Sequence, residues 1–561
     1  MKKFSKILSV ALLVALVLSL GVASAFADAN AQHTITITPV AGQRGAHTYT
    51  AYQVFAGDYD NGKLSNVTWG KGVDGDAILT ALQNDTTHFQ IPDTSENAAS
   101  GATVNAFAKC SSAADVAQAI SDANVGNNSD FIKAFSDVVG AHLSGTEAGH
   151  ATAAAADETH NQTQNAVITV TGDGYYIVLD TTTTVPEGEA RTDYILQVLD
   201  NVTIQTKSST TTSEKHVDDQ NDSNATDHSE LKDSADYDIG DEVPYTISMT
   251  LPADFANYNK YEVVFYDDMS KGLTYKAGSA MVKYGDAEAV ALEPTNGTAT
   301  YTDGHMYVWN LGDVRNNANL SAGKTITITY KAILNEFAVI GVAGNPNKMY
   351  VEFSNNPNGT GNGKTPDDIN IVFTYKTVFN KVDGEQKPLT GADFTLYKKV
   401  VDATETDGYR WVDVTALNTG TDAKNPSKVK SDKTNGTETV KDCVFTFSGL
   451  DAGDYKLEEI ATPPGYNSIN PIEFTITATH QLESADPRVT ALTGTDGHEF
   501  NMTPVKDGNN FTGELDANIV NQSGATLPST GGIGTTIFYV VGGVLVLAAI
   551  ILLVTKKRMS E

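Results

Sequence analysis

Residues 369–383 read Ile369-Asn370-Ile371-Val372-Phe373-Thr374-Tyr375-Lys376-Thr377-Val378-Phe379-Asn380-Lys381-Val382-Asp383. Two strand-like runs meet here with no linker between them. β-Branched and aromatic residues suit a pleated, half-buried surface, so each run reads as a strand. Similar runs recur at 33–39 (HTITITP), 175–179 (YYIVL), 245–251 (YTISMTL), 325–330 (TITITY), 444–447 (VFTF) and 473–477 (EFTIT). Clusters of Gly, Asn and Asp separate them. Many short strands punctuated in this way predict a mainly all-β chain of tandem sandwiches. Helical periodicity is confined to the N-terminal third, at 77–82, 113–119 and 130–139. An Ala-rich polar loop is expected over 151–163. The strand runs group into three domains, 28–206, 207–371 and 372–526. Short joints between them predict a stiff array rather than beads on a flexible string.

The two ends carry addresses. Met1-Lys2-Lys3 and Lys6 precede an apolar run at 7–22, and Ala23-Ser24-Ala25 or Ala25-Phe26-Ala27 offers a small-residue cleavage site. Residues 1–27 therefore read as a signal peptide and are set aside from the fold. At the other end, Leu527-Pro528-Ser529-Thr530-Gly531 precedes an uncharged apolar run of 18 residues at 537–554, and Lys556-Lys557-Arg558 follows in the short tail 555–561. That run is long enough to cross a bilayer as a helix, and the basic cluster holds its end inside. The pentapeptide resembles the LPxTG sorting signal of Gram-positive surface proteins, which a sortase cleaves between Thr530 and Gly531. Leu527 and Pro528 complete that motif.

The formal net charge is -31. It becomes more negative once the two basic terminal segments are set aside. Such a balance excludes nucleic acid and anionic lipid as partners and suits a soluble surface protein. Cys110 and Cys443 fall in different predicted domains, so no disulfide framework is indicated. Zinc-type His/Cys spacing, phosphate loops and nucleophile elbows are lacking, so neither an enzyme nor a cofactor is expected. Asp219, Asn221, Ser223 and Glu230 resemble a calcium loop only faintly; the glycine at position six and the flanking helices are missing, so a polar surface loop is expected and no metal.

The second and third predicted domains share a layout. Each opens on a strand with a lysine, Lys215 or Lys381. Each has an acid on an inner strand, Asp267 or Glu459, and each closes on a strand with an asparagine, Asn355 or Asn521. Period-two alternation places Asp267 with Val263 and Phe265, Glu459 with Tyr455 and Leu457, and Asn355 with Val351 and Phe353, on the expected core side. A lysine, a carboxyl group and an asparagine buried together can react. Burial lowers the lysine pKa and raises that of the carboxyl group. A neutral amine is a nucleophile, and fixed geometry removes up to roughly 7–11 kcal/mol of barrier. The product is a Lys–Asn amide, with ammonia released.

Family likeness adds to this. Lys381, the stretch 391–397 (GADFTLY), the stretch 452–459 (AGDYKLEE) and Pro463-Pro464-Gly465-Tyr466 resemble the collagen-adhesin B-type (Cna-B) repeat. The resemblance implies an immunoglobulin-like sandwich with an intramolecular isopeptide bond, Lys381–Asn521, and Glu459 as its catalyst; Glu458 stands where the repeat has a neutral residue. The stretches 236–245, 267–273 and 353–357 resemble the middle domain of sortase-assembled major pilins of the SpaA/FimA type. That implies a second bond, Lys215–Asn355, with Asp267 as catalyst; Asp268 and Asn356 are the neighbouring alternatives. The first domain resembles its pilin counterpart at 49–55 and 172–180. Its opening strand has no lysine, so no cross-link of this kind is expected there.

The same resemblance points to a polymerisation lysine before the second domain, in Asn201-Val202-Thr203-Ile204-Gln205-Thr206-Lys207. Thr206 stands where such pilins usually have Pro. Lys207 is the expected acceptor, ahead of a Ser/Thr stretch, 208–213, expected to stay exposed. Transfer of Thr530 of one copy to Lys207 of another is head-to-tail and builds an open filament. The implied partners are a class C pilus sortase, a housekeeping sortase, further copies of the chain, minor pilins and peptidoglycan. A monomeric wall-anchored adhesin or minor pilin binding a host glycan or matrix protein would share every signal except the use of Lys207.

Overall fold

The computed structural model describes residues 31–60, 63–95, 98–126, 129–198, 201–224, 228–415, 428–435, 438–523 and 533–559. The signal peptide and the sorting pentapeptide lie outside the described residues. Strands dominate, as the alternating runs predict.

In the N-terminal region, Gln32–Thr38 lies between Val202–Gln205, to which it runs parallel, and Ala166–Thr171. A five-stranded sheet centred on His47–Asp60 packs beside this one. Its far face is covered by helices Gly75–Asn84, Ala113–Ala123 and Asp130–Ala141, each opened by a capping side chain, Asp74, Ser112 or Ser129. These caps satisfy backbone N–H groups that would otherwise lack partners. The apolar helix faces (Ile78, Leu82, Val116, Phe131, Phe135) close over Val54 and Phe55. The Ala-rich segment expected to be a loop begins instead as strand Gly149–Ala153, because it pairs with His47–Asp60.

The middle region is a sandwich of two seven-stranded sheets. One carries Thr212–Gln220, Glu242–Thr250 and Thr325–Leu334 as neighbours; the other carries Asp368–Phe373, Asn345–Ser354, Glu262–Met269 and His305–Asp313. Alternate residues of each strand are buried between them, Tyr245, Ile247 and Met249 from one sheet and Val263, Phe265 and Met349 from the other. In the C-terminal region ten strands follow one continuous path, with Tyr375–Asp383 parallel to Asn510–Asn521 and antiparallel to Glu438–Leu450. Cys110 and Cys443 are both buried and unpaired.

The joints are close. One residue, Thr374, separates the last strand of the middle sandwich from the first strand of the next region. The buried Lys398 ammonium bridges these two regions, 2.5 Å from Asp238, 2.6 Å from Asp451 and 3.1 Å from Asp222. Burial alone would lower its pKa, but the surrounding carboxylates outweigh that and raise it well above the usual lysine value. At the other joint, Arg191 N donates to Asn355 O at 2.8 Å and Asn358 Nδ2 donates to Thr192 O at 3.1 Å. A helix, Ile533–Met559, follows the third region; it is apolar until Lys556, Lys557 and Arg558 in its last turn.

The first region holds a buried ionic triad. His47 Nδ1 lies 2.7 Å from Asp180 and its Nε2 2.9 Å from Glu189. Burial pulls the His47 pKa down, yet the two carboxylates raise it from 6.5 to about 9. A folded pKa above the unfolded one stabilises fully below the unfolded value, and that gain is lost as pH rises through the folded value. The first region should therefore lose on the order of 3 kcal/mol of stability between about pH 6.5 and about 9. Its thermal transition, followed by calorimetry across this range, checks the loss, and His47→Gln should flatten it.

Candidate cross-linking sites and anchor

In the C-terminal region the reacting groups sit on adjacent parallel strands. The register aligns Lys381 with Ile519 and Asp383 with Asn521. Lys381 and Asn521 both face inward, at 1% and 0% exposure. Lys381 Nζ donates to Asn521 Oδ1 at 2.5 Å and to Ile519 O at 2.9 Å. Asn521 Nδ2 donates to both oxygens of Glu459, at 3.0 and 3.1 Å. Thr462 Oγ1 and Ile469 N donate to the same carboxylate and fix its position. Glu458, one residue earlier on the strand, points to the other face, beside Tyr397. Burial lowers the Lys381 pKa to about 8, against an opposing pull from Glu459. A useful fraction of the side chain is thus the neutral amine near neutral pH.

In the middle sandwich Lys215 and Asp267 are both fully buried and form an ion pair through Asp267 Oδ1. Lys215 lies on Thr212–Gln220 in one sheet and Asp267 on Glu262–Met269 in the other, so they meet across the core. Lys215 Nζ also donates to Tyr330 Oη at 2.8 Å and lies 4.7 Å from the Tyr245 ring centroid. Burial lowers its pKa, with Asp267 opposing.

Asn355 is not the amide of this site. Asp267 pairs with Met349, and Asn355 lies six residues further along, about 20 Å at the strand rise. Its backbone instead serves the joint with the first region. The buried carboxamide beside Lys215 is Asn347, opposite Met269, whose Nδ2 donates to Tyr330 Oη at 3.0 Å. Asn347 has the same strand parity as Asn355, so alternation gave the right face and the wrong pair. The run Asn345-Pro346-Asn347 has turn composition, yet it opens the strand Asn345–Ser354. Asp268 turns away and accepts from Thr300 N at 3.1 Å, and the Asn356 side chain bonds to Thr360 O.

Lys207 lies half-buried at the first joint. Its N donates to Thr192 Oγ1 at 2.7 Å and its Nζ to Tyr194 O at 3.2 Å. The Ser/Thr stretch after it is not exposed throughout: Ser208 and Thr211 are buried. Thr211 N bonds to Gly188 O at 2.7 Å and Ser209 Oγ to Asp254 at 2.5 Å, which folds the stretch into the joint. The calcium-like stretch is engaged elsewhere, Asp219 with His480 at 3.4 Å and Ser223 with Lys399 O at 2.8 Å.

Residues 376–488 match the SpaA prealbumin-like fold domain. Residues 239–357 match the Gram-positive pilin backbone subunit 2, Cna-B-like domain, and residues 519–561 match the LPXTG cell wall anchor motif. The chain thus carries a Gram-positive pilin-backbone module and a cell-wall anchor motif. The chain is 27% identical over 363 residues to the trypsin-resistant surface T6 protein of Streptococcus pyogenes serotype M6, a match covering 57% of this chain and 65% of that relative. Among solved structures, the T6 backbone pilin of S. pyogenes aligns at 17% identity over 88% of this chain and 99% of that one, TM-score 0.48. The major pilin SpaD of Corynebacterium diphtheriae aligns at 17% identity, over 88% and 98%, TM-score 0.44.

The two asparagine candidates of the middle sandwich give separable outcomes. The mature chain should weigh two ammonia losses less than its sequence by intact mass. Asn347→Ala should restore one of them, and Asn355→Ala should restore none.

Proposed function

We propose that this chain is the shaft subunit of a covalently polymerised pilus, strengthened by two internal Lys–Asn amides. The observation that carries the reading is the Lys381–Asn521–Glu459 cluster, a buried amine in contact with a carboxamide whose nitrogen a carboxylate holds. Lys381 Nζ, as the neutral amine, attacks Asn521 Cγ. Glu459 shuttles a proton from the attacking to the departing nitrogen, and ammonia leaves. Lys215 and Asn347 react in the same sense, with Asp267 as the carboxylate. Each domain acts once, on itself.

The consequence is mechanical. Lys381 and Asn521 lie 140 residues apart in the chain. Closing a loop of that length is worth about 5 kcal/mol on the chain-entropy formula for disulfides. More importantly, tension entering at the joint before Lys215 passes to Asn347, then from Lys381 to Asn521, and on to the sorting signal. The strands inside each joined pair are bypassed, while the chain from Asn347 to Lys381 stays in the load path.

Assembly is assigned to sortases acting on this chain as substrate. A class C pilus sortase cleaves after Thr530, holds it as an acyl group and transfers it to Lys207 of the next copy. A housekeeping sortase moves the finished fibre to peptidoglycan, and minor pilins complete it. Lys207 suits the acceptor role because it lies at a joint and its Nζ is held by one carbonyl. In cells, Lys207→Ala should abolish the high-mass ladder on denaturing gels while leaving monomer on the wall. A ladder that persists would move the acceptor to another lysine.

A further inference from the structure

The two proposed reaction centres differ in one respect. In the third domain the carboxylate touches the amide nitrogen directly, Glu459 to Asn521 Nδ2 at 3.0 Å. In the second domain the hydroxyl of Tyr330 stands between them. It donates to Asp267 Oδ2 at 2.8 Å and accepts from Lys215 Nζ at 2.8 Å and from Asn347 Nδ2 at 3.0 Å. One oxygen thus touches the nucleophile, the carboxylate and the leaving nitrogen. Tyr330 is 2% exposed, and its ring is clamped by Tyr245 and Trp309, with centroids at 5.3 and 5.2 Å.

We propose that Tyr330 is a catalytic residue of the second domain, relaying a proton from Asp267 to the departing nitrogen of Asn347. The proposal rests on the reading that Lys215 and Asn347 become joined. Lys215 ammonium passes a proton to Asp267, leaving an amine and a carboxylic acid. The amine attacks Asn347 Cγ, and the C=O electron pair moves to Oδ1. An amide nitrogen has its lone pair delocalised and only donates. In the tetrahedral adduct that nitrogen is an amine and can accept, so its hydrogen bond to Tyr330 reverses. Asp267 then donates to Tyr330 as Tyr330 donates to Nδ2. The carboxylate so formed takes one proton from Nζ. The adduct collapses: the C–Nδ2 bond breaks, ammonia leaves, and the Lys215–Asn347 amide remains beside protonated Asp267 and an intact phenol.

The test uses the full exported chain, synthesised in a short pulse and followed by intact mass, each ammonia loss being assigned by digestion. The third-domain bond is the reference within the same molecule. Tyr330→Phe keeps the ring and removes only the hydroxyl. The third-domain loss is expected at the wild-type rate and the second-domain loss about 10²-fold slower. Fluorotyrosine placed at position 330 keeps the shape and makes the phenol more acidic. The second-domain rate is expected to change with that acidity, which a hydroxyl that only packs would not produce; this arm decides if the Phe variant misfolds. Equal rates in all three chains overturn the relay and leave the Lys215–Asn347 link standing. A wild-type chain that never loses the second-domain ammonia overturns link and relay together.

Discussion

A lysine ammonium without water is the constraint on which this structure turns. Removing such a charge from solvent costs several kcal/mol, and the cost must be offset by partners or avoided by deprotonation. Among the described residues three lysines are buried, with two outcomes. Lys398 meets three carboxylates and stays charged, which ties two regions together. Lys215 and Lys381 each have a carboxylate close by and a carboxamide at the same centre, and both pKa values are lowered. Burial with abundant acid gives an ionic joint; burial with one acid and an amide gives an amine set up to react.

Strand geometry delivers this arrangement. A parallel register places Lys381 two residues before the position opposite Asn521, a gap that a lysine side chain spans. In the middle sandwich the partners come from facing sheets instead, within a buried aromatic layer of Tyr245, Trp309 and Tyr330. The first region lacks the lysine and holds His47 between Asp180 and Glu189. That buried triad makes the stability of the first region depend on pH.

Much of this was legible in the sequence, and the failures are instructive. The three helices announced themselves by periodicity. Lys381, Glu459 and Asn521 were readable because each lies in an unbroken strand run. Asn347 was hidden because Asn345 and Pro346 beside it mimic a turn, and the strand begins earlier than its β-branched residues suggest. Tyr330 closes the run TITITY and reads as ordinary core; only the meeting of two sheets gives its hydroxyl a role. Lys398 looks like a solvated charge on an alternating strand, since its acids are distant in sequence. The Ser/Thr stretch after Lys207 was misread because composition signals polarity, and these hydroxyls find their partners inside a joint.

In the proposed mature chain, two domains join their own strands covalently through lysine and asparagine. Tandem mass spectrometry of a protease digest of the mature chain tests it most directly. Two branched peptides are expected, one joining the Lys215 and Asn347 segments and one joining the Lys381 and Asn521 segments. Recovery of these four segments as separate linear peptides, each with an intact asparagine, would contradict it.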